Sequence, residues 1–376
     1  MLGLFLVLPV FALEARRYPG GDDPALLGLA MGIYGLTQGL LQLPYGMASD
    51  RFGRKRVIVL GLLVFAVGSF WAAAATDLQG LLLGRSLQGA GAVSAAVTAF
   101  LADLTRDAVR TKAMAMVGAS IGLMFALSLV LAPVLAAALG LAGLFAITGV
   151  LALLGVAVVV WGAPPEPRAQ AGAPRGHLSE VLRHAGLLRL NLGVFVLHAV
   201  QLAMWVAVPA LLVQAGLDKA QHWQVYLPAV LGAFVLLGGL FALERRGHLK
   251  KVFLAAIVLL GLVQLGLLVV ASGTPRLGPL AGLLFVFFCG FNVLEATQPS
   301  LVSRLAPAGG RGAAMGVYNT LQSLGFFVGG WAGGAMVKGW GSPMLFLVCA
   351  AAMALWCLVA WPMSAPGRSE PLVQAP

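Results

Sequence analysis

Charge is scarce in this chain, so the few ionisable side chains set among apolar residues are where its chemistry must lie. Glu295 stands in Phe291-Asn292-Val293-Leu294-Glu295-Ala296-Thr297-Gln298, nine residues before Arg304. That spacing places it about 13 Å from the nearer helix end at 1.5 Å per residue. An acid at such depth is a candidate proton acceptor or a counter-ion for a cationic substrate; pairing with Arg304, or hydrogen bonding to Asn292 and Gln298, is the structural alternative. Arg85 lies eight residues past Asp77, about 12 Å into an apolar run, where it either snorkels to the headgroups or faces a central cavity. Gln88, one turn deeper, is a candidate cavity hydrogen-bonder. His198 and Gln201 share a helix face with Trp205, a combination suited to aromatic or cationic compounds, although a lone His198 is more often a core residue than a proton carrier. Tyr34, Gln38, Asn319 and Gln322 are further polar groups within apolar runs. This is the chemistry of protonation and charge pairing. His-Glu-x-x-His and a Gly-Lys-Ser/Thr phosphate loop are both missing from the sequence, so a metalloprotease or an ATP-driven pump lacks its parts. No enzyme activity, metal or cofactor is expected, and a proton gradient is the expected energy source.

The elements that position these groups follow from composition. Of 376 residues, 60% are hydrophobic and 10% charged, with mean hydropathy +0.95, against about 25% charged for a soluble domain. So little polar surface cannot cover a particle of this size in water, which makes lipid the missing solvent. Spans are expected near residues 1–15, 25–48, 57–76, 79–102, 112–138 and 141–163, and again near 187–215, 222–243, 251–272, 277–302, 313–337 and 341–362. Between them, residues 164–186 form a Pro-rich basic linker whose end, Leu178 to His184, suits a short amphipathic surface helix. The domains expected are a six-helix bundle over 1–163, the linker, a second bundle over 187–365 and a tail over 366–376. The first span has only 13 residues before Glu14, which points to a late start codon or a truncated chain, since a signal peptide would want a basic stretch first.

Net charge +11 is no sign of nucleic acid, because the basic residues cluster between spans, as in cytoplasmic loops. With the amino terminus inside, 18 of the 24 lysines and arginines fall on the cytoplasmic side, five fall outside, and Arg85 lies within a span. Both termini are therefore expected in the cytoplasm. Cys289, Cys349 and Cys357 sit in apolar runs without metal-ligand spacing and read as small buried hydrophobes. Two matches between halves suggest duplication: Asp50-Arg-Phe-Gly-Arg-Lys-Arg56 with Glu244-Arg-Arg-Gly-His-Leu-Lys250, and Arg110-Thr-Lys-Ala-Met-Ala with Arg311-Gly-Ala-Ala-Met-Gly. They argue for two bundles related by pseudo-two-fold symmetry about an axis normal to the membrane, with a binding site between them.

Gly46-Met-Ala-Ser-Asp50-Arg51-Phe-Gly53-Arg54-Lys55-Arg56 resembles the signature loop of the major facilitator superfamily, and Arg85-Ser-Leu-Gln88-Gly89-Ala-Gly91 its second motif. The segments Ile33-Tyr34-Gly35-Leu36-Thr37-Gln38, Asp103-Leu104-Thr105-Arg106 and Phe291 to Ala296 are similar to the bacterial YajR group of proton-driven drug transporters within it. The resemblance implies an all-α membrane fold of two six-helix bundles, twelve spans with the first apparently truncated, in the bacterial inner membrane. It further implies that Arg85 assists proton transfer and that Asp50, Arg51, Arg54 and Asp103, with Gly46 and Gly53 for close approach and a tight turn, form a latch joining the bundles on the cytoplasmic side. Asp50 is expected near the start of span eleven at Gly312, whose partial positive charge favours an anion, with Arg54 bridging Asp50 to Asp103. Two features depart from the pattern. Ala132-Pro133 is followed by Val134-Leu135-Ala136-Ala137 where the antiporter motif has paired glycines, which weakens exchange relative to uptake, and the group's soluble carboxy-terminal domain has no counterpart after about Ala365. The expected activity is proton-coupled efflux of small amphipathic organic molecules by a monomer in contact with membrane lipid. A symporter or facilitator for uptake is the first alternative, and a non-transporting sensor the second.

Overall fold

The computed structural model describes residues 5–91, 93–105, 107–166, 178–245, 248–306 and 310–363. Among them no strand occurs, and the helices in chain order are α1 (Leu8–Glu14), α2 (Pro24–Phe52), α3 (Arg54–Ala74), α4 (Leu78–Ala90), α5 (Ser94–Leu104), α6 (Asp107–Ala157), α7 (Leu178–Arg183), α8 (Ala185–Gln214), α9 (Trp223–Arg245), α10 (Leu249–Ser272), α11 (Leu277–Leu305) and α12 (Arg311–Ala360). Among the described residues, seven helices are long and apolar enough to cross a membrane. Their lipid-facing sides carry hydrocarbon: Leu60, Val67, Leu262 and Leu358 are all more than half exposed. In water such a surface would be a liability; in a bilayer it is the solvent-matched face. Helix α8 is the most buried of the seven, and Leu197, Val200 and Leu211 on it belong to the main core.

Helix starts and stops follow local chemistry. The Asp23 carboxylate accepts from Ala25 N at 2.9 Å ahead of Pro24, and the Asp77 carboxylate accepts from Gly80 N at 2.7 Å, each satisfying an orphan amide of a first turn. Helix α2 ends at Gly53, φ 98°, a left-handed conformation that glycine adopts without Cβ strain. The span expected over 79–102 is broken at Gly91 into α4 and α5, where Gly91 is pressed against Gly61 and Phe65 of α3. The surface helix expected over Leu178 to His184 is present as α7, with Val181 buried. The tail over 366–376, most of the linker, and the side chains of Arg106, Arg110, Lys112, Glu244 and Arg311, on which part of the charge bias and the repeat matches rest, lie outside the described residues.

Helices α6 and α12 are 51 and 50 residues long, about twice a membrane crossing. Each breaks once, at Gly140 (φ 66°, ψ −175°) and Gly341 (φ 81°, ψ 172°), 201 residues apart, the same offset as between Arg110 and Arg311. Gly20 (φ 87°) and Gly216 (φ 88°) are left-handed too, 196 residues apart, so these two pairs make up four of the five left-handed glycines among the described residues.

Helices α2 and α12 make an intimate seam. A methyl group on Gly28 would collide with the backbone of Gly330 and Gly334, on Gly32 with Phe327, and on Gly35 with Ser323. Further along, the Gly39 position is 3.3 Å from Leu324, and nothing from α12 lies within 4 Å of the Gly46 position. Helices in lipid gain no hydrophobic attraction for one another, so close backbone packing of small residues does the joining. Gly28→Ala is therefore expected to lower the thermal midpoint, a loss of about 1–3 kcal/mol by overpacking. Gly312→Ala, where an added Cβ meets nothing within 4 Å, should leave it unchanged; fluorescence-detected unfolding in detergent reads both.

Candidate functional site

Three helices converge on one ionisable cluster. His198, on α8 and 1% exposed, places Nδ1 2.8 Å from Val194 O. A carbonyl only accepts, so Nδ1 carries the hydrogen and Nε2 faces the cluster. There Gln322 Nε2, from α12, is 2.7 Å from His198 Nε2, and Glu295 Oε2, from α11, is 3.2 Å from it. Gln322 Nε2 also reaches Glu295 Oε1 at 3.4 Å. The His198–Glu295 contact has ion-pair distance without hydrogen-bond alignment, leaving Oε2 without a hydrogen bond among the described residues. Asn292 Nδ2, both ends of the Gln298 amide, Tyr318 Oη and Thr320 Oγ1 are buried and likewise lack one. Buried orphans are rare in folded chains and mark places where water or a ligand completes the bonding. The aromatic walls are Phe291 and Phe326, with ring centroids 6.0 and 4.9 Å from His198, and Phe125 of α6, 6.4 Å from Phe291. Asn319 is half-buried one turn from Ser323 on α12, its backbone carbonyl accepting from Ser323 Oγ at 3.0 Å.

The alternatives weighed for Glu295 come out differently from the sequence reading. Its contacts are His198 and Gln322, in place of Asn292 or Gln298. Trp205, two turns along the same face of α8 from His198, packs edge-on against Tyr226 at 5.4 Å and lies in the apolar core with Met204 and Val208. Gln201 is buried with Oε1 unbonded among the described residues.

A second cluster occupies the loop between α2 and α3. Arg54 contacts Asp50 Oδ1 at 2.6 Å through Nη1 and Asp103 Oδ2 at 2.9 Å through Nε, and donates to Ser49 Oγ at 2.6 Å. Arg54 thus sits between the two acids, as its spacing suggested. Arg51 lies over the Phe52 ring at 5.4 Å, and the Gly46 position is 3.8 Å from Ala95. Among the described residues Asp50 meets Arg54 and no contact with Gly312 is seen, while the Arg311 side chain at the start of α12 lies outside the described residues. Glu166 from the linker accepts from Lys55 N at 2.5 Å, a carboxylate on a helix N-terminus. With Asp50 and Asp103 half exposed, such pairs contribute about 0–1 kcal/mol, which suits a contact made and broken in turn.

Arg85 neither snorkels nor lines an open cavity; it is 2% exposed. Its Nη1 donates to Gln88 Oε1 at 3.0 Å, its Nη2 approaches Met31 O at 3.4 Å, and its guanidinium lies 4.9 Å from the Tyr34 ring centroid. Gln88 Nε2 donates to Ser69 Oγ at 2.8 Å, so this group braces α2, α3 and α4 from within. Gln38 accepts from Ser323 Oγ at 3.3 Å across the α2–α12 seam. Two features escaped the sequence reading. Glu14, expected at an ordinary outer interface, is 2% exposed and paired to Lys219; only the distant chain segment facing it could have revealed that. Gly118-Ala119-Ser120-Ile121-Gly122 spells a serine-nucleophile pattern, but it is continuous helix and Ser120 Oγ donates to Val117 O at 2.7 Å, whereas a nucleophile elbow is a strand-to-helix turn.

An apolar-surfaced helical bundle with ionisable groups buried on facing helices defines an integral membrane protein of the transporter class. The Major Facilitator Superfamily model matches residues 1–330 and 244–375, and the chain belongs to that superfamily. It is 42% identical over 371 residues to the inner membrane transport protein YajR of Escherichia coli K12, covering 97% of this chain and 81% of that one. It is 29% identical to the multidrug resistance protein MdtH of Aeromonas salmonicida, over 89% of this chain and 84% of the relative. In fold it resembles an auto-inhibited peptide transporter of the POT family, with TM-score 0.76, 14% identity and coverage of 98% and 96%. Replacing Gln88 with Leu strands Arg85 and Ser69 and is expected to cost about 1–3 kcal/mol, read as a lower thermal midpoint; Thr148→Val, which loses a 3.4 Å contact with Gln88, should cost less.

Proposed function

We propose that the chain is a proton-coupled exporter of small amphipathic organic compounds that works by alternating access between two six-helix bundles, 1–163 and 187–365. Twelve crossings follow if α1, α2, α3, α4 with α5, each half of α6, α8, α9, α10, α11 and each half of α12 span once. The matching glycine breaks and the repeated loop support the pseudo-two-fold relation. Lysine and arginine bias supports cytoplasmic termini in a bacterial inner membrane, and a relative named as a multidrug resistance protein supports efflux.

The observation that carries this reading is the Glu295–His198–Gln322 cluster. With a neutral imidazole, Gln322 donates to the bare Nε2. With a protonated one, Nε2–H is turned toward the Glu295 carboxylate, and the Gln322 amide meets it favourably only after rotating its oxygen inward. One proton thus has two seats 3.2 Å apart, and which is filled decides whether the orphaned amides and hydroxyls face a carboxylate or a neutral acid. A cationic amphipath competes for the same carboxylate, with aromatic rings beside it, so substrate and proton exclude one another. On the cytoplasmic side, Asp50, Arg51, Arg54 and Asp103 are the latch that engages when that mouth closes.

Transport into everted vesicles should therefore alkalinise the lumen as substrate enters. Glu295→Gln is expected to reduce this response by at least about fivefold, the small end of coupling energies, and to weaken binding of cationic substrate; Asp50→Asn should slow turnover at unchanged binding. Full pH dependence in Glu295→Gln would remove its proton role. Acidification of the lumen would instead mark symport, and transport without any pH response a facilitator.

A further inference from the structure

Resting on the transporter reading, the geometry points to a second charge latch at the opposite mouth. We propose that the Glu14–Lys219 ion pair, backed by Asp23–Lys338, holds shut the end at which α2 begins, and that this structure is the state with that latch engaged. Both pairs join the two halves of the chain. Glu14, the last residue of α1, is buried, and each of its oxygens meets a cation: Lys219 Nζ donates to Oε1 at 2.5 Å, and Arg17 Nη1 lies 3.2 Å from Oε2. Lys219 is held in a short turn, Lys219–Gln221, whose first amides are capped by Asp218. Asp23, the cap of α2, accepts from Lys338 Nζ of α12 at 2.7 Å.

The seam between these pairs tapers. From Gly28 to Gly35 the backbones of α2 and α12 touch, at Gly39 the Cβ position is 3.3 Å from the Leu324 side chain, and toward the Asp50 loop the Gly316 position of α12 reaches α2 only through the Leu43 side chain, at 3.5 Å. The inter-half ion pairs are therefore at the tight end, and the Asp50–Arg54–Asp103 cluster, whose contacts among the described residues stay within one half, is at the looser end. That polarity is what two mouths opening in alternation require: charges engaged across one mouth and within one half at the other. Ion pairs suit the task because, on separation, each charge is rehydrated, whereas an apolar seal would expose hydrocarbon to water. The two pairs are unequal. Asp23 and Lys338 are 36% and 56% exposed, against 3% for the Glu14 side chain, so the screened pair guides closure and the buried one holds it. Hydrogen bonding to Lys338 holds the Asp23 carboxyl below the ordinary carboxylate range. Its contribution is present above that range and lost only as pH falls through the lowered value, so the guide persists at neutral pH. The ionisable groups facing Glu14 are Arg17 and Tyr18 from its own segment and Lys219 from the other half, so Lys219 is the inter-half charge to remove.

The test is a distance measurement between spin labels at Asp22→Cys and Gly339→Cys, exposed positions flanking this mouth, in the full chain in liposomes. Lys219→Gln with Lys338→Gln should raise the population of the longer distance about tenfold, Lys338→Gln alone should raise it less, and Lys219→Arg should leave it as in the parent. An unchanged distribution in Lys219→Gln, with transport intact, overturns the latch, as does an equal effect from Lys219→Arg. A parent protein that shows one distance under both directions of pH gradient overturns the alternating-access reading itself.

Discussion

A charge inside hydrocarbon has no water to stabilise it, and the arrangement of this protein is organised by where each such charge finds its partner. Arg85 meets Gln88, a backbone carbonyl and the Tyr34 ring, with its Nε left without a hydrogen bond among the described residues, and it braces α2 against α4. Glu295 is met by His198 and Gln322 in an incomplete way, with polar atoms around it left unbonded. A proton or a cation at Glu295 would change which bonding there is complete, and the proposed coupling rests on that property.

The second constraint is that lipid tails are as apolar as leucine, so helix association in a membrane rests on contact quality. Glycine at 28, 32 and 35 of α2, facing 330 and 334 of α12, lets backbones meet where side chains would hold them apart. Leu197, Val200 and Leu211 of α8, by contrast, belong to a side-chain core that also takes in residues of α1, α2, α6 and α9 to α12.

The two loop clusters illustrate how modest energies suffice. Half-exposed pairs such as Arg54–Asp50 are worth about 0–1 kcal/mol each, too little to staple a fold and enough, when several act together, to shift a balance between two conformations of similar stability. The helix caps at Asp23 and Asp77, by contrast, act locally and identically in any conformation that preserves their first turns.

What the sequence determined by itself is what depends on local composition and spacing. Apolar runs, glycine punctuation and basic loops announce a membrane helical protein with breaks near 140 and 341, because hydrocarbon thickness and backbone sterics act on contiguous residues. The Asp50–Arg54–Asp103 grouping was legible for the same reason, with a signature loop carrying two of its members, and so was the depth of Glu295 in its helix. Tertiary structure alone decided which residues meet across long separations. His198 looked like a core histidine until α11 brought Glu295 to it; Trp205, on the same face two turns on, meets Tyr226 of α9; Glu14 looked like an interface acid until Lys219, 205 residues further on, closed over it. Burial and partner identity are set by the packing of helices against each other, and no residue's own neighbours along the chain encode the element it will face.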